Sequence, residues 1–282
     1  MSTLREKRKK ERRALRRRKT ADWTVVLILC AIAVCCGGYL IYHHWSVKQR
    51  ELEYEKLRQE ETLSAATETV MAEPETEEST EETVIYCDPV YDFGQLHEQN
   101  EDIYAWIVVP GTQVDYPLLQ SGTDNYYLDY NLDHSKGYPG CIYTNQCNRK
   151  DFSDYNTVLY GHNMKNGSMF GSIHSFEDET FFDGHPYIYV YTENERLTYE
   201  IYEAAKFTDV YIPSEYVISS KDDRDQFLAD VREKVSDNKL HVREDMEIGE
   251  EDRLITLSTC VSGERNHRYL VIGVLVETAL YR

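Results

Sequence analysis

The chain has 282 residues, 31 Lys/Arg against 50 Asp/Glu, and a formal net charge of −19 at pH 7. The eleven Lys/Arg and three Asp/Glu of residues 1–22 leave −27 on the rest, which excludes a general polyanion-binding role for the body of the chain. Seven cysteines include no CxxC pair and no His/Cys cluster with zinc spacing, so no structural metal and no cofactor are expected.

The basic block is followed by Trp23 to Tyr42, twenty residues without a formal charge. That length crosses a bilayer core as a helix, and the positive flank predicts a cytoplasmic N-terminus with the remainder outside. A cleaved signal peptide is disfavoured, because the Ala31-Ile32-Ala33 box sits inside the apolar run rather than after it. Membrane flanking accounts for the basic charge, so no nucleic-acid partner is inferred. Trp23 and Trp45 suit interfacial anchors. Residues 43–83 read as an acidic stalk. Val47 to Ser64, with Tyr54, Leu52 and Leu57 as its few apolar positions, predicts a solvated helix, and Glu/Thr-rich Ala65 to Thr83 an extended spacer that cannot bury a core.

Residues 84–282 have a globular composition and enough length for one well-cored domain. Asp88-Pro89 is expected to cap a short helix through Leu96. Alternating Tyr/Val/Ile segments predict strands at Tyr104–Val109, Cys141–Thr144, Thr157–Tyr160, Tyr187–Tyr191, Leu197–Ala204, Leu254–Thr259 and Arg268–Val276. Thr192 to Glu195 reads as a hairpin turn. Helical stretches are expected near Ser168–Phe176 and at Asp222–Val235, the latter with Phe227, Leu228 and Val231 on one face. Many short strands with few helices indicate a mostly β fold, a closed or nearly closed barrel.

Two of these strands end in chemically useful residues. His162 follows Leu159-Tyr160-Gly161, Cys260 follows Leu257-Ser258-Thr259, and Arg268 opens the last apolar run. A thiol, an imidazole and a fixed guanidinium supply a nucleophile, a proton partner and an oxyanion or substrate clamp. Cys260 is read as the free thiol, with a Cys141–Cys147 bridge left open and Cys87 solitary. Taken alone, a strand-end Cys is ordinarily a small packed hydrophobe. The other eight histidines (His43, His44, His97, His134, His174, His185, His241 and His267) read as surface or satisfied residues. Arg265 and His267, rivals to the chosen set, read as loop residues.

Thr256-Leu257-Ser258-Thr259-Cys260 with Arg268, and Tyr160-Gly161-His162-Asn163-Met164, resemble the signature of class B sortases. Ala105-Trp106-Ile107 with Pro110-Gly111-Thr112, Tyr116-Pro117-Leu118-Leu119-Gln120, Asp124-Asn125-Tyr126-Tyr127-Leu128 and the helical insert before Cys260 extend the resemblance over residues 88–282. It departs at Ser262, where some relatives carry an acid.

The resemblance implies an eight-stranded sortase-type barrel and a membrane-anchored cysteine transpeptidase on the surface of a Gram-positive bacterium. Cys260 would attack the Thr carbonyl of an Asn-Pro-x-Thr-type sorting motif near the C-terminus of an exported protein. His162 would serve as acid and base, and Arg268 as clamp. An amine of a peptidoglycan precursor or of a pilin would resolve the thioacyl-enzyme. Substrate contacts are carried over to Asn125, Leu128, Tyr160, Thr208, Tyr211, Ile212 and Ser258. A cysteine peptidase using water, or a surface binding module with a structural Cys260, are the competing readings.

Overall fold

In a computed structural model describing residues 2–65, 85–234 and 240–282, the switch from basic to apolar sequence falls inside one helix, α1 (Ser2–Ala65). The chain divides into two units, 1–53 and 54–282. Within the first, the large apolar side chains from Trp23 to Trp45 are exposed. Trp23–Gln59 is long and apolar enough to cross a membrane. The expected spacer over 66–83 lies outside the described residues.

The second unit begins with the last turns of α1, and here the expectation of a solvated helix is corrected. Tyr54 and Leu57 are buried. The Tyr54 hydroxyl donates to the Gly140 carbonyl at 3.4 Å, and its ring meets Tyr116 edge-on. Arg58 lies over Tyr116 and donates through Nε to the Asp115 carbonyl at 2.8 Å. Residues 54, 57 and 58 share one helical face, so three modest side chains suffice to dock it.

The remaining elements are β1 (Ile85–Cys87), α2 (Phe93–Gln99), β2 (Ile103–Val108), β3 (Asp115–Leu119), α3 (Tyr126–Asp129), β4 (Ile142–Thr144), β5 (Asn156–Tyr160) and a 3-10 turn (Gly171–Glu177). They continue with α4 (Glu179–Gly184), β6 (Tyr187–Tyr191), β7 (Glu195–Thr208), α5 (Ile212–Glu215), α6 (Lys221–Lys234), β8 (His241–Val242), β9 (Leu254–Val261) and β10 (Glu264–Tyr281). The sheet order is β1-β10-β9-β5-β4-β3-β2-β6-β7-β8, and β10 also pairs with β7. That extra ladder closes a ring of eight strands, with β1 and β8 appended outside it. Closure removes the exposed edges that an open sheet would leave.

Alternation along β10 separates inside from outside. Leu270, Ile272 and Val274 join Phe207, Ile212, Leu254 and the α6 residues Phe227, Leu228 and Val231 in one buried cluster on the outer face. Tyr269 and Val271 point the other way and are equally buried. Covered on both faces, this strand reads as a continuous apolar run. The α6 stripe behaves as expected, ending its described course at Lys234, so Val235 falls outside it.

Several local expectations shift. The helix expected from Asp88 starts at Phe93, capped by Asp92, whose Oδ1 accepts from Gly94 and Gln95 amides at 2.9 and 3.2 Å. Gln95 also reaches back to Asp92, and Phe93 and Leu96 bury together, so cap and apolar spacing favour the later start. The helical stretch near 168–176 is the 3-10 turn. Local sequence does not reveal β3, because Pro117 argues against a central strand; the β4 ladder engages only Leu118 and Leu119. All described cysteines are free, so no Cys141–Cys147 bridge forms.

Candidate active site

Three neighbouring strands bring the chosen residues to one end of the barrel. β5 and β9 run parallel with Tyr160 opposite Ser258, and β9 pairs with β10 so that Cys260 faces Arg268. Directly opposed residues share a face with Cβ atoms about 5 Å apart. Since Ser258 is opposite Leu270 and Arg268 opposite Phe207, this is the outer face that α6 and α5 partly cover. Cys260 is exposed at its end.

Beyond Tyr160 the β5 backbone stays tied to β9. The Gly161 amide donates to the Ser258 carbonyl at 3.3 Å, and Thr259 Oγ1 donates to the Gly161 carbonyl at 2.8 Å. A Cβ on Gly161 would lie 2.7 Å from the buried Phe170 ring, so only glycine permits this close approach. His162 therefore emerges at the level of Cys260. Its Nε2 contacts the Leu128 carbonyl at 2.9 Å, rather than the thiol, and its ring sits 4.9 Å from that of Tyr138. A carbonyl only accepts, so this contact places a proton on Nε2. Burial, then the nearby Cys260 sulfur, push the Tyr138 hydroxyl above its ordinary range.

Arg268 lies where β10 straightens. The ladder jumps from the Glu264–Val261 pair to Arg268–Cys260, leaving residues 265–267 bulged after a turn at Gly263 with φ +82°. Arg268 Nη1 donates to the Arg265 and His267 carbonyls at 3.3 and 3.0 Å. Arg265 and His267, read as loop residues, thus belong to the irregular start of β10, which begins four residues before the expected position. Arg265 is exposed, and His267 Nδ1 lies 3.1 Å from Glu264.

The other chosen residues divide into a surface layer and a buried underlayer. Asn125 Oδ1 accepts from Tyr143 at 3.0 Å and from Asn145 at 3.3 Å; Asn145 also donates to the Tyr211 hydroxyl at 2.9 Å. Tyr160 stacks on Tyr211 at 6.1 Å and meets Tyr143 in a tilted contact at 5.6 Å. Burial pushes Tyr211 up to about 12 and raises Tyr143 and Tyr160 further, so this wall is uncharged at neutral pH. Leu128 is exposed, and Thr208 ends β7 opposite His267. Ile212 and Ser258 are buried, the former within the α6 cluster, so their side chains lie beneath the surface layer.

His174 reads from sequence as a surface or satisfied residue, and the structure places it at the site. Its Nε2 lies 3.0 Å from the Cys260 carbonyl, and its Nδ1 2.7 Å from Glu177 Oε1. Asn163, adjacent to His162, donates to the same carbonyl at 2.7 Å and to Ser262 Oγ at 3.2 Å. A histidine and a glutamate three apart on a helical turn were the only local hint.

Comparison with known proteins agrees with this architecture. A family model described as Sortase domain matches residues 107–276. The chain is 34% identical over 168 residues to sortase B of Listeria monocytogenes, a match covering 58% of this chain and 65% of that relative. The structure of Clostridium perfringens sortase B superposes with TM-score 0.59 at 30% identity, covering 66% of this chain and all of that one. The Staphylococcus aureus sortase B–substrate complex gives TM-score 0.64 at 26% identity, covering 83% of this chain and 99% of that one. A ring of eight strands carrying a thiol and a guanidinium on adjacent strand ends, matched through most of its length by the family model and by these sortase B proteins, belongs to the sortase family of cysteine transpeptidases, in class B.

Proposed function

We propose that Cys260, His162 and Arg268 are the catalytic residues of a transpeptidase anchored to the membrane by residues 23–42. The observation that carries this reading is the Cys260–Arg268 cross-strand pair, with His162 emerging from the parallel neighbour β5 at the same level. The substrate is an exported protein bearing a C-terminal sorting motif of the Asn-Pro-x-Thr type. The Cys260 thiolate forms a bond to the Thr carbonyl carbon, and the carbonyl π pair moves to oxygen. Arg268 donors receive that oxyanion. On collapse the C–N bond breaks, and the leaving nitrogen takes a proton from His162 Nε2. An acceptor amine then attacks the thioester and loses its proton to His162; the C–S bond breaks and thiolate returns.

Acyl energy stored in the thioester drives ligation to an amine of a peptidoglycan precursor or of a pilin. The uncharged wall of Asn125, Leu128, Tyr160 and Tyr211, with Thr208 at its far side and Ile212 and Ser258 beneath, suits a short neutral motif. Incubating the full chain in detergent with sorting-motif peptides and amine acceptors should give ligated product by mass spectrometry. Hydrolysis alone would indicate a peptidase, and no cleavage would reject the substrate class.

We also place the basic block in the cytoplasm of a Gram-positive bacterium and the barrel outside. A tag after Arg282 should be digested by protease added to intact cells, whereas an N-terminal tag should be protected; the reverse pattern would invert the topology.

Arg268 and Arg265 separate a clamp from a bystander. Lys keeps the charge but cannot reproduce a planar fork of directed donors. Arg268→Lys should lose about tenfold in kcat/KM, roughly 1.4 kcal/mol of transition-state stabilisation, and Arg265→Lys should be near neutral. Equal losses, or a loss that follows the melting temperature, would deny Arg268 the role of clamp.

A further inference from the structure

We infer that His174, oriented by Glu177, acts with Asn163 as a clamp on the Cys260 backbone carbonyl and so positions the nucleophile. This rests on the reading of Cys260 as the nucleophile. The β5–β9 ladder ends at Tyr160–Ser258, so β5 offers no backbone partner to the carbonyl of residue 260. Side chains take over that place. Asn163 Nδ2 is 2.7 Å from this oxygen and His174 Nε2 is 3.0 Å from it. A carbonyl at an exposed strand end has water as its ordinary partner; two convergent side-chain donors make a built site instead.

The ring of His174 is itself held on two sides. Glu177 Oε1 lies 2.7 Å from Nδ1, and Tyr269 stacks against the ring at 5.0 Å. In either ring state a donor faces the Cys260 oxygen. With a proton on Nε2, His174 donates directly. With Nε2 bare, one hydrogen of Asn163 Nδ2, 3.0 Å from it, goes to Nε2 in place of Ser262 Oγ while the other stays on the Cys260 oxygen. Because Asn163 follows His162 in the chain, one amide ties the backbone of the proposed acid–base residue to that of the proposed nucleophile. A clamp of this kind fixes the direction in which Cβ and Sγ leave the strand, and small misplacements of a reacting atom are costly in rate. His174 and Glu177 are positioning residues here, since neither contacts the thiol.

The test uses the full chain in detergent, a sorting-motif peptide and an amine. His174→Phe keeps a ring to stack on Tyr269 but removes both nitrogens. His174→Gln restores an amide donor near the position of Nε2. His174→Phe should lower kcat about tenfold with KM within about twofold, and His174→Gln should recover most of that loss. Alkylation of Cys260 by iodoacetamide, resolved by peptide mass spectrometry, should change less than about twofold, because a free reagent needs no fixed attack direction. Wild-type turnover in His174→Phe, no recovery in His174→Gln, or a loss matched by slower alkylation or by a lower melting temperature would overturn the inference. Cys260→Ala runs in parallel: turnover persisting there would remove the nucleophile itself, a failure distinct from that of the clamp.

Discussion

Cys260→Ala is expected to reduce turnover by at least about a thousandfold while leaving the melting curve unchanged. The thiol is exposed at the end of β9, so its loss opens no cavity, and alanine keeps the Cβ and the backbone pairing with Arg268. What disappears is the covalent route, and with it both half-reactions. The useful control is Cys147→Ala. Cys147 is also exposed and lies 3.9 Å from the Tyr211 hydroxyl, with partial desolvation of the sulfur holding its thiol above the ordinary range. That variant should keep near-normal turnover. Activity surviving in Cys260→Ala, or lost in Cys147→Ala instead, would reassign the nucleophile.

His162→Gln should cost about a hundredfold in kcat/KM, the scale at which a positioned acid–base group contributes. Glutamine can still donate to the Leu128 carbonyl that holds His162 Nε2 at 2.9 Å, so the local structure has reason to persist. It cannot give a proton to a leaving amine or take one from an incoming amine. Peptide cleavage and amine ligation should therefore both slow, measured by chromatography under single-turnover conditions with each step followed separately. His134→Gln is the matched control, an exposed histidine whose Nδ1 lies 3.4 Å from the Tyr126 hydroxyl. A loss below about threefold, or one shared by His134→Gln, would deny His162 a role in proton transfer.

Much of the barrel is legible in local sequence because strands covered by core or helix announce themselves as alternating or continuous apolar runs. β6 and the β6–β7 turn, closed by the Thr192 amide on the Glu195 carbonyl at 2.9 Å, fall where expected, and β2, β5 and β9 nearly so. The uncharged run from Trp23 to Tyr42 is also local information, since bilayer thickness is a length written directly in residues, and it lies within the helix stretch Trp23–Gln59 that is long and apolar enough to cross a membrane. The emergence of His162 and Cys260 at strand ends is equally local information. β1 and β8 are too short to show a period, and Pro117 hides β3.

Tertiary structure alone decided the β7–β10 ladder that closes the ring, the docking of Tyr54 and Leu57, and the contact between His174 and the Cys260 carbonyl, 86 residues apart in sequence. The physical reason is shared. Periodicity records which face of an element is buried, whereas ring closure, docking and a carbonyl's partner depend on which distant surface arrives there, and no local pattern carries that.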